Sequence, residues 1–322
     1  MKFPSTKIKQ FLLLLLKLIV VGLAFYFIRK QLATKALDGH IISTALQKPK
    51  AVFFVGALLV LTFLNRFIEI LKWKNLAGVL EPISLWESTK QVMIGITFGI
   101  VTPNGIGEYA GKAWFYPKKN AGKVVFLNAV CNGIQVIYAV FFGLIGTLFI
   151  NHLHPFLPVQ YIGWFLGGVA VLALLLFLVK GIQIKGYSLQ TLLDNLQKIP
   201  RNIHLKNILL AFLRYLVLVH QYFLLYTFLG VEISYFTLLA VVASIYLLAS
   251  SLPNFQAVDF ALKGSVAIYL LGFFGVDSWI VTLVATLIWL LNLVFPIAVG
   301  SIFLLFFNPK KDQTLHSTQI ES

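Results

Sequence analysis

Carboxylates are scarce in this chain: eleven Asp and Glu stand against 26 Lys and Arg in 322 residues. No paired acids lie near a histidine within one apolar segment, so no acid–base constellation of the hydrolase kind is legible. Ser250 and Ser251 also lack an evident acid–base partner. Cysteine occurs once, at Cys131, which excludes an internal disulfide, and no paired Cys/His spacing suits a metal. His152 and His154, on either side of Leu153, read as interfacial residues before Pro155. No nucleotide-binding or low-complexity segment is present. Neither metal nor cofactor is expected.

Charge of either sign is rare. Only 11% of the residues are charged and 59% are hydrophobic, where a soluble domain carries about 25% charged residues. Mean hydropathy is +0.88. The apolar runs are continuous rather than alternating, which points to membrane helices and away from a barrel. The net charge of +15 would suggest nucleic acid in a soluble protein. Here the cations gather in loops and helix ends, where anionic headgroups attract them. Membrane lipids, and not nucleic acid, are the expected partners.

A span needs about 20 apolar residues. Six runs qualify: 11–28, 51–71, 124–150, 161–179, 207–229 and 279–307. The first follows Lys2, Lys7 and Lys9. It is longer than a signal-peptide core and is followed by Arg29-Lys30-Gln31, so it reads as a retained helix with Lys17 snorkelling toward its basic end. Two further apolar stretches, 91–111 and 236–275, carry breaks. Loop 180–206 is rich in lysine and arginine and reads as cytoplasmic, as do both termini; loops 151–160 and 230–235 lack lysine and arginine and read as outside. With those assignments each broken stretch must enter and return on one side, the first from the cytoplasm and the second from outside. The expected fold is an all-α polytopic protein, one integral membrane domain over 1–322. It comprises two inverted-topology repeats, 11–150 and 161–307, each with three transmembrane helices and one re-entrant or broken-helix hairpin, and then a polar tail, 308–322. Segment 29–50 disagrees: it should be outside, yet it holds Arg29, Lys30, Lys35, Lys48 and Lys50. Either it lies along the interface as a short amphipathic helix or the orientation is reversed.

The two breaks resemble each other. The first reads Thr102-Pro103-Asn104-Gly105-Ile106-Gly107-Glu108, with Lys112 four residues after the acid; the second reads Leu252-Pro253-Asn254, then Asp259, with Lys263 four residues on. The prolines are 150 positions apart, and the acids and lysines 151. Pro103 removes a helix donor, and Gly105 and Gly107 permit positive φ, so the segment must break there. A helix restarting near Gly107 would aim free N–H groups at the break, a geometry that suits phosphate or carboxylate. Acid before lysine at i, i+4 is the favourable order on a helix face. In a membrane each charge costs about 2.5–3.5 kcal/mol on insertion scales, so such pairs need a reason to persist. Arg214, about two turns inside its span, is a further candidate for a phosphate contact. Arg66 and Glu69 are three apart and able to pair, and His220, Gln221 and Asn292 are other polar groups within spans. Gly95 and Gly99 suit close helix packing.

With these residues the chain resembles the lysylphosphatidylglycerol synthase transmembrane-region family, the flippase-like membrane proteins. The resemblance covers roughly 11–307. It rests on Leu71-Lys72-Trp73-Lys74 at the exit of the second span, on Thr102 to Glu108, and on Ser251-Leu252-Pro253-Asn254. It departs at the second break, where Phe255-Gln256-Ala257-Val258 replaces the family's glycines and Asp259 takes the acid's place. The resemblance implies a bacterial-type cytoplasmic membrane protein that moves a lipid between leaflets. Aminoacyl transfer, which the best-known members perform with a fused soluble domain, is not expected here. The leading expectation is a flippase or transporter for an anionic phospholipid or a polyprenyl-phosphate-linked lipid, not an enzyme. Its substrate site would comprise Pro103, Asn104, Gly105, Gly107, Glu108, Lys112, Arg214, Pro253, Asn254, Asp259 and Lys263. A non-catalytic scaffold for a separate lipid- or glycan-modifying enzyme is a second reading. An intramembrane lipid transferase using Glu108 or Asp259 as base is a third.

Overall fold

The computed structural model describes residues 46–178, 188–250, 256 and 259–308, with Leu15, Ile19, Gly22, Tyr26, Ser43 and Thr44 described singly. Most of the first expected span, most of segment 29–50, Pro253 and Asn254 of the second break, and the tail after 308 lie outside the described residues.

The described residues form helices and no strand: α1 (Ala51–Ala77), α2 (Leu85–Gly99), α3 (Gly107–Ala113), α4 (Ala121–Leu153), α5 (Val159–Leu178), α6 (Leu189–Gln197), α7 (Arg201–Phe228), α8 (Tyr235–Ser250), α9 (Asp259–Gly272), α10 (Ser278–Trp289) and α11 (Phe295–Phe306). A π-helical turn, Leu290–Val294, joins α10 to α11. Four helical stretches are long and apolar enough to cross a membrane: Ala51–Ala77, Lys118–Leu153, Arg201–Phe228 and Ser278–Phe306. They fit a multi-pass membrane protein.

Several helices start earlier than hydropathy predicts, because their first turns are polar. α2 begins at Leu85 rather than 91. Ser84 accepts from the Glu87 N–H at 3.1 Å, and Glu87 accepts from the Ser84 N–H at 2.7 Å. This reciprocal capping satisfies two otherwise orphaned donors. α7 likewise begins at Arg201, immediately after Pro200. The predicted span 279–307 is not one regular helix. Pro296 has no N–H for the carbonyl four residues back, that of Asn292, and the chain passes through the π turn just before it.

α1 and α7 run antiparallel. At one end Asn75 on α1 donates to the Ile203 carbonyl at 2.9 Å, and at the other Lys48, just before α1, donates to the Phe228 carbonyl at 2.8 Å. α2 and α3 lie against each other through glycines. A Cβ on Gly111 would stand 2.9 Å from the Gly95 Cα, and one on Gly107 would stand 2.2 Å from the Phe98 carbonyl oxygen. The expected packing role of Gly95 is therefore met. Two other glycines seat helices from opposite ends of the chain. A Cβ on Gly143 of α4 would meet the Ala243 carbonyl at 3.0 Å and Leu247 Cβ at 2.5 Å on α8. A Cβ on Gly300 of α11 would meet the Met93 carbonyl at 2.2 Å and Thr97 Oγ1 at 2.4 Å on α2. Without a hydrophobic drive between helices in lipid, such small-residue contacts are what let backbones approach.

Two apolar clusters result. One gathers Trp73, Leu76, Ile94, Phe115 and Leu127, and the other Tyr222, Tyr226, Val241, Leu270 and Val284. Along α1 and α4 the switch between them falls at Asn65–Glu69 and Gln135, and on the last helical stretch it falls between Ile288 and Trp289, one turn before Asn292. A polar layer thus divides the apolar bundle.

Candidate functional site

The polar layer is a continuous hydrogen-bonded chain. Thr62 accepts from Gln221 at 2.9 Å, and Gln221 accepts from Asn292 at 3.1 Å. Asn292 accepts from Asn65 at 2.8 Å, and Asn65 accepts from the Arg214 Nε at 2.9 Å. Arg214 then pairs with Glu69 at 2.7 Å, and Glu69 takes Lys72 at 3.3 Å. The expected pairing of Arg66 with Glu69 does not form as a direct salt bridge. Arg66 turns instead to the Asn292 carbonyl that Pro296 cannot serve.

Both i, i+4 pairs form. Lys112 meets Glu108 at 2.6 Å and Lys263 meets Asp259 at 2.5 Å. Their surroundings differ. The Lys112 ammonium is sealed, with Asn128 Oδ1 at 2.7 Å and the Trp73 ring centroid at 4.6 Å. Trp73 is held in turn by Gln91, to which its indole N–H donates at 2.7 Å and Tyr116 donates at 3.1 Å. Tyr116 lies in the connection after α3, and burial raises its pKa, so it stays a neutral donor. Lys263 instead keeps 18% of its side chain exposed and Asp259 28%. Lys263 lies over the Tyr246 ring at 4.5 Å, and the pair opens into a cavity of about 250 Å³. Arg214, Asn65, Asn292 and Gln135 line the same cavity.

The first break does not present the row of free donors that its glycines suggest. Asn104 and Gly105 take positive φ, 49° and 70°. That folds the chain into consecutive tight turns. Gly105 N–H goes to Thr102, Ile106 to Pro103, Glu108 to Gly105 and Tyr109 to Ile106, while Gly107 donates to Thr102 Oγ1 at 2.7 Å. Every N–H from Gly105 to Tyr109 is therefore committed internally. α3 also has only seven residues. The backbone at Gly105 to Glu108 serves the turn, and the candidate ligand groups are side chains.

What the glycines do permit is a close approach. A Cβ on Gly105 would stand 2.1 Å from Gln256 Nε2, and one on Gly99 would stand 3.1 Å from Gln256 Oε1. Gln256 belongs to the second break and also lines the cavity. Its Oε1 is buried and has no hydrogen-bond partner among the described residues. The two breaks thus meet at Gly105 and Gln256.

Of the expected site residues, Arg214, Asp259 and Lys263 line the cavity. Glu108 and Lys112 pair with each other and do not line it, and Pro103, Asn104, Gly105 and Gly107 shape the first turn. Pro253 and Asn254 are outside the described residues. The reading from sequence missed Asn65, Glu69, Lys72, Gln135 and Gln256 as site residues. The signal for three of them was present: Asn65, Glu69 and Lys72 recur at helical spacing on one face of α1.

Among the described residues of this layer, five cations (Arg66, Lys72, Lys112, Arg214 and Lys263) stand with three carboxylates (Glu69, Glu108 and Asp259). Two positive charges are left over inside an apolar bundle. Within the described residues, no cluster of His, Cys, Asp and Glu could hold a metal ion. No family model, curated protein or solved structure matches the chain.

Proposed function

We propose that this protein is a lipid transporter that passes an anionic headgroup, that of a phospholipid or of a polyprenyl-phosphate-linked lipid, through the cavity between the two breaks. The observation that carries this reading is the excess of two cations in the polar layer, with Arg214 and Lys263 reaching an open cavity. An uncompensated buried charge is costly, and an anionic headgroup would relieve that cost while its tail stays in the bilayer. A planar guanidinium suits phosphate oxygens. Asp259 would hold Lys263 in place and release it to the incoming anion.

The reading includes an inverted-repeat architecture, which correspondences between the two halves support. Met93 and Thr97 precede Ala243 and Leu247 by 150 positions, and Gly143 and Gly300 make matching contacts with the two sets. α2 and α3 lie between the end of α1 and the start of α4, whereas α8 and α9 lie between the end of α7 and the start of α10. Two such hairpins would enter from opposite sides and meet near the midplane, and the approach of Gln256 to Gly105 would be their point of contact. Rocking one half on the other would expose the cavity to each side in turn. Lys74, Lys118, Lys119, Lys123, Lys198 and Arg201 mark one end of the bundle, which we assign to the cytoplasm. The membrane implied by the family resemblance is the bacterial-type cytoplasmic membrane.

The test is leaflet exchange in reconstituted vesicles carrying labelled phosphatidylglycerol or a labelled polyprenyl phosphate. Protein-dependent exchange of at least one of them, slowed by Arg214→Gln, is expected. Exchange at the protein-free rate for both would overturn the proposal.

A further inference from the structure

A second cavity, of about 470 Å³, shares no lining residue with the one in the polar layer. It is built from three places: the turn after α1 (Val79, Leu80), the start of α4 (Lys119, Lys123, Phe126) and helix α6 with the residues after it (Leu192, Lys198). The Asn75 to Ile203 bond brings the end of α1 to the start of α7, so this cavity sits where spans emerge from the bundle.

Its chemistry divides cleanly. The three lysines come from two separate segments and are exposed, and among the described residues no carboxylate pairs with any of them. The rest of the wall is largely hydrocarbon, from Val79, Leu80, Phe126, Leu127, Leu192 and Ile199. α6 forms one side. Leu189, Leu192, Leu193 and Leu196 fall at i, i+3, i+4 and i+7, a single helical face. Leu192 and Leu193 remain exposed at 42% and 40%, so protein packing does not account for that face. Ser188 fixes the helix start by accepting from the Thr191 N–H at 3.1 Å. A short helix with an apolar face beside lysines, at the end of membrane spans, suits a position in the plane of the headgroups.

We propose that this cavity is a separate site for an anionic phospholipid of the surrounding leaflet. Lys119, Lys123 and Lys198 hold the phosphate, and the apolar wall formed by Phe126, Leu192 and Ile199 takes the upper part of the acyl chains. Charge complementarity and an apolar wall beside the lysines choose a lipid over a soluble anion, which has no use for the hydrocarbon surface. The site carries no transport role. It would anchor α6, and through Lys198 to Arg201 the start of α7, to the leaflet.

The test uses the full chain in nanodiscs of phosphatidylcholine doped with phosphatidylglycerol. Lipid retained on the protein is counted by native mass spectrometry after extraction. Phosphatidylglycerol is expected to be retained in preference to phosphatidylcholine. The triple variant Lys119→Gln, Lys123→Gln, Lys198→Gln should lower that retention by roughly a hundredfold, given about 1 kcal/mol for each surface cation. The triple arginine variant should keep it. Equal retention by wild type and the glutamine variant would overturn the proposal. So would an equal loss in Lys74→Gln, Lys118→Gln, which removes two cations from the same end outside the cavity. Displacement of the lipid by free glycerol phosphate would overturn the lipid as the occupant. None of these readouts involves leaflet exchange, so they stand or fall apart from the transport proposal.

Discussion

Glu69 on α1 and Arg214 on α7 meet at 2.7 Å inside the bundle, and Arg214 reaches onward to the central cavity. Removing one member of a buried pair leaves the other uncompensated, at about 3–5 kcal/mol. Arg214→Ala is therefore expected to lower the unfolding midpoint sharply in nanodiscs. The cost to Glu69 is tempered by Lys72, which stays at 3.3 Å. The double variant Glu69→Gln, Arg214→Gln should recover only part of the loss, because Glu69 is no longer stranded but the buried Lys72 loses its carboxylate. A double-mutant cycle read by denaturation would check this. Additive single effects would show that the two side chains are not coupled.

Lys112 and Lys263 occupy matching places after the two breaks, yet they make different predictions. Lys112 is wholly buried with Glu108, Asn128 and Trp73 around it, whereas Lys263 faces the cavity. Lys112→Gln should destabilise the protein by about 3 kcal/mol or more, by stranding Glu108. Lys263→Gln should cost about 1 kcal/mol or less, because the pair is partly solvated. Its effect should fall on transport, with exchange of an anionic lipid slowed roughly tenfold, the value of about 1.4 kcal/mol of lost headgroup contact. Thermal melting and vesicle exchange on the same two variants would separate the roles. The reverse pattern would move the headgroup site from the second break to the first.

The glycines at the helix contacts give a stability test that needs no substrate. Gly300→Ala would place a methyl 2.2 Å from the Met93 carbonyl, and Gly143→Ala one 2.5 Å from Leu247 Cβ. Each should cost about 1–3 kcal/mol through forced separation of the helices. Gly133→Ala, with nothing within 4 Å, should be neutral or slightly stabilising, because alanine is the better helix former. Denaturation midpoints of the three variants would rank them. Equal midpoints would mean that α2–α11 and α4–α8 are not tightly seated.

Much of this was legible before any coordinates. Continuous apolar runs at 51–71, 124–150 and 207–229 locate α1, α4 and α7, because in lipid the backbone has to satisfy itself within each helix. The paired breaks were legible from proline, glycine and the acid–lysine spacing. The long reach of α2 and α7 was not, since Glu87, Lys90 and Arg201 interrupt the apolar signal while the helix continues under its caps. The network was legible only in part. A lone span shows that Asn65 and Glu69 share a face, but not that Arg214, 145 positions after Glu69, completes it. Gly105 to Glu108 misled for a different reason. Glycines license a turn whether its N–H groups face a ligand or each other, and Thr102 decided for the second by taking the Gly107 N–H.

The contact between the breaks yields the last prediction. Gln256 reaches within 3.1 Å of a Cβ built on Gly99, so cysteines at 99 and 256 would lie within reach of a short thiol crosslinker. Gly99 has ordinary helical φ and tolerates a side chain better than Gly105, whose φ is 70°. In a background with Cys131→Ser, Gly99→Cys with Gln256→Cys should crosslink through a bis-methanethiosulfonate. Removing the sole native cysteine leaves these two as the only thiols. If the two halves move apart at this junction during transport, the linked protein should show only the protein-free rate of lipid exchange, and a reductant should restore it. Either single variant treated with the same reagent should exchange faster than the linked pair. A crosslinked protein that still transports at the rate of the reduced one would place the moving junction elsewhere in the bundle.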